Sequence, residues 1–176
     1  GLTYVEDLLP SDLLLAIAHA LPAFTWQRVG NAASRQVAQF GYAYQYGKRG
    51  PLPAAPPIPP VLVPLVARVQ DHLAEQDISF TPNQVIINRY EPGQSIGAHI
   101  DDPYVFGPTV ACFSMGAGAT MRFTRKDHPT HDQVVRPNSL YTMNGDARYK
   151  WKHAMRSAKR TQDGVRYSIT FREVRR

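Results

Sequence analysis

The spacing of apolar residues predicts two helices in the first half of the chain. Between Leu8 and Leu21 these residues recur at helical intervals, which predicts a helix from about Asp12 to Leu21. The same spacing predicts a second helix from Leu62 to Gln76. Seven of the fifteen prolines fall between Pro51 and Pro64. Because proline lacks a backbone N–H and restricts the residue before it, this segment is predicted to be an extended connector.

Alternation with a period of two predicts strands in the remainder of the chain. Residues 37–46 alternate around aromatic residues, which predicts a strand with a tyrosine-lined face. Further short strands are predicted at Gln84–Tyr90, Ile96–Ile100, Thr109–Met115, Ala119–Thr124, Gln133–Arg136, Ser139–Met143, Lys150–Arg156 and Arg166–Val174. Short strands separated by turn residues are typical of a sandwich or barrel, with the helices covering one face. The sequence therefore predicts a mainly β fold of the α+β class.

Length and composition predict one folded domain, because 43% of the 176 residues are hydrophobic and 19% are charged. These values exclude a wholly disordered or collagenous chain. The longest apolar stretch, Val61–Val69, falls short of the roughly 18 residues that a membrane-spanning helix needs. The single cysteine, Cys112, and the lack of a signal peptide predict a reducing, intracellular location, cytoplasmic or nuclear. We expect no membrane association and a monomer.

Positive charge is concentrated towards the C-terminal end. The net charge is +6, and the stretch Arg148–Arg176 has ten basic residues against two acidic ones. Such a cluster is either a face that attracts nucleic-acid phosphates or an ordinary solvated surface. The pattern alone leaves both interpretations open.

Three residues have the chemistry of an iron site. His99 and Asp101 are two apart on a predicted strand, so both side chains point to one face. His153 follows in another predicted strand, and we refer to the three residues as the triad. Two histidines with one carboxylate can hold iron(II) and leave positions open for oxygen and substrate. His-x-Asp alone is weak evidence, because single histidines are more often structural.

The last predicted strand carries Arg166, Ser168 and Arg172 on one face. Such a strand is either a surface strand or the wall of an anion site, in which the guanidinium groups bind a small dicarboxylic acid. Asn88 and Tyr90 are also two apart. They either orient such an acid or hydrogen-bond the turn that follows them.

Three motifs together resemble the AlkB family of iron(II)- and 2-oxoglutarate-dependent dioxygenases. They are Asn88-Arg-Tyr-Glu-Pro-Gly-Gln-Ser-Ile-Gly-Ala-His99-Ile-Asp101, Gly145-Asp-Ala-Arg-Tyr-Lys-Trp-Lys-His153 and Arg166-Tyr-Ser-Ile-Thr-Phe-Arg172. The match in order and spacing runs from about Phe40 to Arg172. It implies a double-stranded β-helix, or jelly roll, in about residues 83–176. It also implies N-terminal helices and a nucleotide-recognition lid in about residues 1–82.

The resemblance also implies the cofactors and their contacts. The triad would ligate iron(II), and Arg166 would pair with the distal carboxylate of 2-oxoglutarate. Arg172 would lie near the metal-bound end of 2-oxoglutarate, and the cofactor-binding set would also include Asn88, Tyr90 and Ser168. Oxygen and 2-oxoglutarate would yield succinate and carbon dioxide while a C–H bond of the substrate is hydroxylated.

Fewer residues are implied on the substrate side. Tyr42 and Tyr44 lie in a stretch that resembles the lid, so they would line a base pocket or else pack against the connector. Repair-type members carry an acid two positions after the metal carboxylate, and an aromatic residue seven positions before Tyr42. Pro103 and Arg35 stand at these positions here. Asp102 could supply the acid, and Arg35 could stack on a base.

The expected function is demethylation or hydroxylation of modified bases in single-stranded or flipped-out nucleic acid, either DNA or RNA. One branch of the AlkB family has eukaryotic members that modify tRNA wobble uridines. The segment Tyr90-Glu-Pro-Gly-Gln and the spacing from Arg148 to His153 resemble this branch more closely. One alternative is the same chemistry on a protein side chain or lipid. Another is a non-catalytic nucleic-acid-binding module.

Overall fold

This computed structural model describes residues 1–31, 34–48, 50–155 and 164–175. These residues include two antiparallel sheets and three α-helices. The helices are α1 (Ser11–Ala20), α2 (Val63–Ala74) and α3 (Gly145–Tyr149). The strands are β1 (Leu2–Val5), β2 (Gln27–Arg28), β3 (Gln36–Phe40), β4 (Gln84–Tyr90), β5 (Ile96–His99), β6 (Phe106–Gly116), β7 (Ala119–Thr124), β8 (His131–Val135), β9 (Ser139–Met143), β10 (Lys152–Met155) and β11 (Arg166–Val174).

The larger sheet has seven strands in the order β1-β9-β6-β11-β4-β3-β2. The smaller sheet has four strands in the order β5-β10-β7-β8. Strands that are neighbours in a sheet are mostly distant along the chain, so tertiary pairing holds both sheets together. The predicted α+β, mainly β class is confirmed.

Helices α1 and α2 cover the outer face of the larger sheet. Helix α2 turns an apolar stripe to this face, since Leu65, Val69 and Leu73 recur every four residues and are fully buried. These side chains share one core with outward-facing residues of the central strands, namely Val85, Ile87, Phe113, Ile169 and Phe171. Burial of this apolar surface is the main force that fixes which face of β11 looks outward.

A second core lies between the two sheets. The larger sheet contributes Val110, Tyr141 and Met143, and the smaller sheet contributes Phe123 and Met155. Apolar packing fills one part of the space between the sheets. The cavity described below occupies another part.

The predicted strand over residues 37–46 ends early. Strand β3 stops at Phe40, where Gly41 takes a φ of 77°. A Cβ on Gly41 would lie 2.0 Å from a backbone carbonyl oxygen, so only glycine fits and the chain turns out of the sheet. An isolated bridge between Tyr42 and Ala54 then joins the following segment to the proline connector. The expectation of a continuous tyrosine-lined strand is therefore wrong.

Other differences concern short elements. The predicted strand Lys150–Arg156 begins at Lys152, because the preceding residues form α3, and Arg156 lies outside the described residues. The sequence does not predict α3, β1 or β2, which are too short to show a period. Strands β1 to β3 belong to the larger sheet, so the first 82 residues contribute strands as well as helices. Among the described helices, none has both the length and the apolar character needed to cross a membrane.

Candidate metal centre and active site

A cavity of about 300 Å³ lies between the two sheets, at the lower end of the roughly 300–1,000 Å³ typical of small-molecule sites. One wall consists of cross-strand partners on β11 and β4, namely Arg166 with Tyr90, Ser168 with Asn88, and Thr170 with Ile86. Arg172 continues the same row. Arg166 is 1% exposed and Arg172 is 9% exposed, so this face of β11 is an interior wall and not a surface.

The smaller sheet brings the triad together on the cavity wall. His99 of β5 and His153 of β10 are cross-strand partners, and their ring centroids lie 4.3 Å apart. Asp101 lies two residues after the end of β5, and its Oδ2 lies 3.6 Å from Nε2 of His153. One ligand atom of each residue lies within 4.8 Å of the other two. The three side chains therefore form a donor set that can hold a metal ion.

Local contacts prepare the two histidines of the triad as metal ligands. The Nδ1–H of His99 donates to the carbonyl oxygen of Gly97 at 2.8 Å, so Nε2 is the ring nitrogen of His99 that is available to a metal. Burial lowers the pKa of His153 to about 4, so its ring is neutral at neutral pH. Its contact with Asp101 is then not an ion pair.

Asp101 is ionised in spite of its burial. Burial raises the pKa of its carboxyl group, but Arg172 and the two triad histidines outweigh that effect and bring the pKa down to about 2. Arg172 donates through Nη2 to Oδ1 of Asp101. The guanidinium group also lies over the ring of Phe106 at 4.6 Å and donates to Gln84 Oε1 at 3.4 Å. These contacts hold one carboxylate oxygen of Asp101 and leave the other facing His153.

Arg148 fixes the backbone of the loop that carries Asp101. Its side chain is 2% exposed and donates to four backbone carbonyl oxygens. The acceptors are Asp101 at 2.7 Å, Gly107 at 3.1 Å, and Asp102 and Phe106 at 3.3 Å each. One buried guanidinium group thus joins both ends of the loop between β5 and β6.

The arginine-lined wall has unused hydrogen-bond donors. Arg166 donates to Ser114 Oγ at 3.1 Å and lies 5.6 Å from the centroid of the Tyr90 ring. Among the described residues, the Nε atoms of Arg166 and Arg172 and the Nε2 atom of Gln84 are buried without a hydrogen-bond partner. Unpaired buried donors are costly, and an anionic ligand with several acceptor oxygens would satisfy them.

Arg35 lies on the same wall. Its Nε donates to Oδ1 of Asn88 at 2.6 Å, and its Nη2 donates to the hydroxyl of Tyr46 at 3.2 Å. Arg35 is 8% exposed and lines the cavity together with Asn88 and Tyr46. The structure therefore places Arg35 beside a residue predicted to bind the cofactor. Its predicted role in base stacking stays a prediction.

Of the other residues predicted for the substrate side, two line the cavity and one does not. Tyr44 lines the cavity and packs against Phe106, with ring centroids 5.7 Å apart. Asp102 also lines the cavity, and its Oδ1 accepts the backbone N–H groups of Tyr104 and Val105. Tyr42 is absent from the described cavity wall. The roles of Tyr42, Tyr44 and Asp102 towards a substrate stay predictions.

The basic cluster is not one uniform surface. Arg148, Arg166 and Arg172 are interior residues. Lys150, Lys152 and Arg175 are exposed. The remaining members are outside the described residues: Arg156, Lys159, Arg160 and Arg176. The choice between a face that attracts phosphates and an ordinary solvated surface therefore does not apply to the three interior arginines.

Sequence reasoning missed several residues that build the site. Nothing in the spacing of Arg148 indicates that its side chain turns inward, because its partners lie more than 40 positions earlier. Phe106 carries no local pattern that marks it as a site residue, and the sequence marks Tyr46 only as part of the predicted tyrosine-lined strand. Thr170 could have been found, because it shares the alternate row of Arg166 and Arg172 on a correctly predicted strand.

Comparison with known families identifies this arrangement. The family model for the 2OG-Fe(II) oxygenase superfamily matches residues 19–172. The chain belongs to the 2OG-Fe(II) oxygenase superfamily, in its AlkB family. This family uses iron(II), 2-oxoglutarate and oxygen, so the predicted family, enzyme class and cofactors are confirmed.

Two curated relatives illustrate the likeness. The chain is 29% identical to mouse tRNA (carboxymethyluridine(34)-5-O)-methyltransferase ALKBH8, over 100% of the chain and 31% of that protein. It is 29% identical to the alpha-ketoglutarate-dependent dioxygenase AlkB of Salmonella typhimurium, over 76% of the chain and 64% of that protein. The chain therefore spans about a third of the length of the mouse relative.

A solved structure supports the fold of this 2OG-Fe(II) oxygenase. The structure of OsALKBH1 matches with a TM-score of 0.77 at 16% identity, and the match covers 98% of each chain. The two facing antiparallel sheets are thus the predicted double-stranded β-helix.

Replacement of Arg148 tests whether its side chain stabilises the loop between β5 and β6. Arg148→Met removes all donors to the four carbonyl oxygens, so we expect a loss of roughly 3 kcal/mol or more in unfolding free energy, measured by urea denaturation without metal. Arg122→Met is the matched control, since Arg122 is an arginine on β7 in an exposed pair with Asp132. A loss no larger than that of the control would show that the loop does not depend on Arg148.

Proposed function

We propose that this protein oxidises modified bases in single-stranded nucleic acid, by demethylation or hydroxylation, with iron(II) held by His99, Asp101 and His153. One observation carries the proposal: the open donor set and the arginine row line the same buried cavity. A metal ion and a small dicarboxylic acid would therefore be neighbours in it. This is the arrangement that the oxygenase chemistry requires.

The donor set suits iron(II). His153 is neutral and Asp101 is ionised, so both can bind a metal without loss of a further proton, and three ligands leave coordination positions open. When bound, iron(II) supplies the oxidation of a substrate C–H bond, with 2-oxoglutarate and oxygen consumed and succinate and carbon dioxide released. Arg172 and Arg148 orient Asp101, the first through its side chain and the second through its backbone.

The arginine row suits 2-oxoglutarate, which carries two negative charges. Arg166 makes no ion pair with the described residues and is nearly fully buried, so the distal carboxylate would supply its missing counter-charge. Asn88, Tyr90 and Ser168 lie beside Arg166 on the same face and would contact the acid along its length. Arg172, bound to Asp101, would lie near the metal-bound end.

An exposed ring near the triad supports a nucleic-acid substrate. Tyr104 is 89% exposed, three residues after Asp101. Its turn is fixed, because Oδ1 of Asp102 accepts the N–H groups of Tyr104 and Val105. A ring held out in solvent by such a turn offers a stacking surface to an unpaired base.

Exposed basic residues and the relatives support the same substrate class. Lys152 precedes His153 in β10 and exposes its side chain on the opposite face of the strand, and the exposed Arg175 donates its backbone N–H to Val105 O, close to Tyr104. These cations would attract a phosphate backbone. Among the relatives, the mouse protein is named for a tRNA uridine, and an Arabidopsis thaliana relative is called an alkylated DNA repair protein.

The decisive experiment is mass spectrometry of short single-stranded DNA and RNA oligonucleotides that carry 1-methyladenine or 3-methylcytosine. They are incubated with the enzyme, iron(II), 2-oxoglutarate and air, beside the Asp101→Ala variant. We expect loss of the methyl group, with release of formaldehyde, only when the triad is intact, since Asp101→Ala removes one of three metal ligands. The polymer, DNA or RNA, that is demethylated at the higher rate is the preferred substrate.

Two results would contradict parts of the proposal. Near-normal turnover by Asp101→Ala would refute the metal assignment. Unchanged oligonucleotides with continued formation of succinate would refute the methylated-base substrates and direct the search to hydroxylation in tRNA and to proteins. A circular dichroism spectrum and a melting curve establish that the variant is folded.

Replacement of Arg166 tests the cofactor placement. Arg166→Ala removes a buried charged donor, so we expect the dissociation constant of 2-oxoglutarate to rise about tenfold to a hundredfold. Titration calorimetry with manganese(II) in place of iron measures it. Binding of an unmodified oligonucleotide should change less than twofold. If the oligonucleotide affinity falls more than the 2-oxoglutarate affinity, Arg166 belongs to the substrate side.

Replacement of Tyr104 tests the stacking surface. Tyr104→Ala should weaken single-strand binding by a factor of roughly 5 to 150, because stacking of a base on an aromatic ring contributes about 1–3 kcal/mol. Tyr104→Phe keeps the ring and should bind within twofold of the wild type. Fluorescence anisotropy of a labelled oligonucleotide measures both variants. Equal affinity of Tyr104→Ala and the wild type would exclude Tyr104 from the interface.

A further inference from the structure

Arg35 is a buried cation with no carboxylate partner among the described residues. It lies immediately before β3, and its backbone carbonyl accepts the N–H of Val29 at 3.1 Å. Its side chain is 8% exposed and lines the cavity on the same side as Asn88 and Arg166. A buried guanidinium group is costly unless its donors are used, so its contacts are informative about its role.

The contact with Asn88 determines how the Asn88 amide is oriented. The Nε–H of Arg35 points at the amide of Asn88, with a separation of 2.6 Å to Oδ1. Because arginine can only donate, the amide atom that faces it must be the oxygen. The NH2 group of Asn88 is then the part that can donate to a ligand in the cavity. Without Arg35, the amide could turn around and present its oxygen to that ligand.

A second contact holds the guanidinium group from its other side. Nη2 of Arg35 donates to the hydroxyl of Tyr46, and Cζ lies 5.5 Å from the centroid of the Tyr46 ring. Tyr46 packs edge-on against Tyr44 at 5.0 Å, and Tyr44 packs against Phe106 at 5.7 Å. The plane of Arg35 is thus set by two partners on different segments of the chain.

We propose that Arg35 is a positioning residue for 2-oxoglutarate, which keeps the Asn88 amide turned with its NH2 group towards the bound acid. The inference rests on the proposed placement of 2-oxoglutarate beside Asn88 and Arg166. A carboxylate accepts a hydrogen bond from an NH2 group but is repelled by an amide oxygen. Arg35 therefore acts through Asn88 and makes no contact of its own with the cofactor.

A double-mutant cycle tests this indirect action. Titration calorimetry of 2-oxoglutarate with manganese(II) measures the dissociation constant for the wild type, Arg35→Met, Asn88→Ala and the double variant. We expect Arg35→Met to raise the dissociation constant about tenfold in the wild-type background and less than twofold in the Asn88→Ala background. Arg35→Lys keeps one donor and should recover part of the loss.

The manganese(II) affinity, measured without 2-oxoglutarate, separates positioning from general damage. It should stay within twofold of the wild type for both Arg35 variants, because the triad does not touch Arg35. Additive losses in the cycle would mean a direct contact between Arg35 and the acid and would overturn the inference. An unchanged dissociation constant in Arg35→Met, or a parallel loss of manganese affinity in both variants, would overturn it as well.

The wild-type protein separates this inference from the proposed function. If the wild type binds no 2-oxoglutarate, the proposed cofactor site itself is wrong. If the wild type binds it and the cycle is additive, only the role of Arg35 is wrong. Neither measurement uses an oligonucleotide, so a wrong substrate class does not affect the result.

Discussion

The site depends on the pairing of β11 between β4 and β6. Both neighbours pair with it residue by residue, so every second side chain of β11 faces the cavity. The intervening residues, Ile169 and Phe171, are fully buried in the core beneath the helices. A slip of one residue would drive Arg166 into that core and turn the apolar side chains into the cavity. Burial of two apolar residues thus places the arginine row.

Charge balance determines what the cavity can hold. Arg172 is balanced by Asp101, and Arg148 gives its donors to backbone carbonyl oxygens. Arg166 has no carboxylate partner among the described residues, although it is buried. The cavity thus holds an excess of positive charge away from water, where it interacts strongly with an anion. A dicarboxylic acid offsets this excess, whereas a neutral ligand of the same size does not.

The loop after β5 connects the metal donors with the protein surface. Its second residue, Asp101, belongs to the triad, and three residues later Tyr104 is exposed to solvent. Arg148 holds the backbone of this loop from inside, and the Asp102 carboxylate caps its turn. Because the loop is held in place, a base stacked on Tyr104 would lie at a fixed distance from the metal site. This rigidity is what a reaction at one atom of a long polymer needs.

The sequence by itself determined the triad and the arginine row. His99 and Asp101, and likewise Arg166 and Arg172, are separated by even numbers of residues on or beside strands, and that spacing sets a shared face in any fold. Their motifs were specific enough to predict the family and its double-stranded β-helix. The bounds of β11 also followed from local periodicity, whereas the helix predicted from Leu62 to Gln76 runs from Val63 to Ala74.

Only the tertiary structure decided which cations are interior and what they hold. The sequence places Arg148 in a basic cluster and predicts that Arg35 stacks on a base, but in the structure each is buried by partners at least 11 positions away. At Gly41, the carbonyl oxygen of Asn83, just before β4, leaves no room for a Cβ, and this contact also depends on the packing of distant segments. A local pattern indicates on which face of its own helix or strand a side chain lies. The contacts of these residues depend on how distant elements pack, which no local pattern contains.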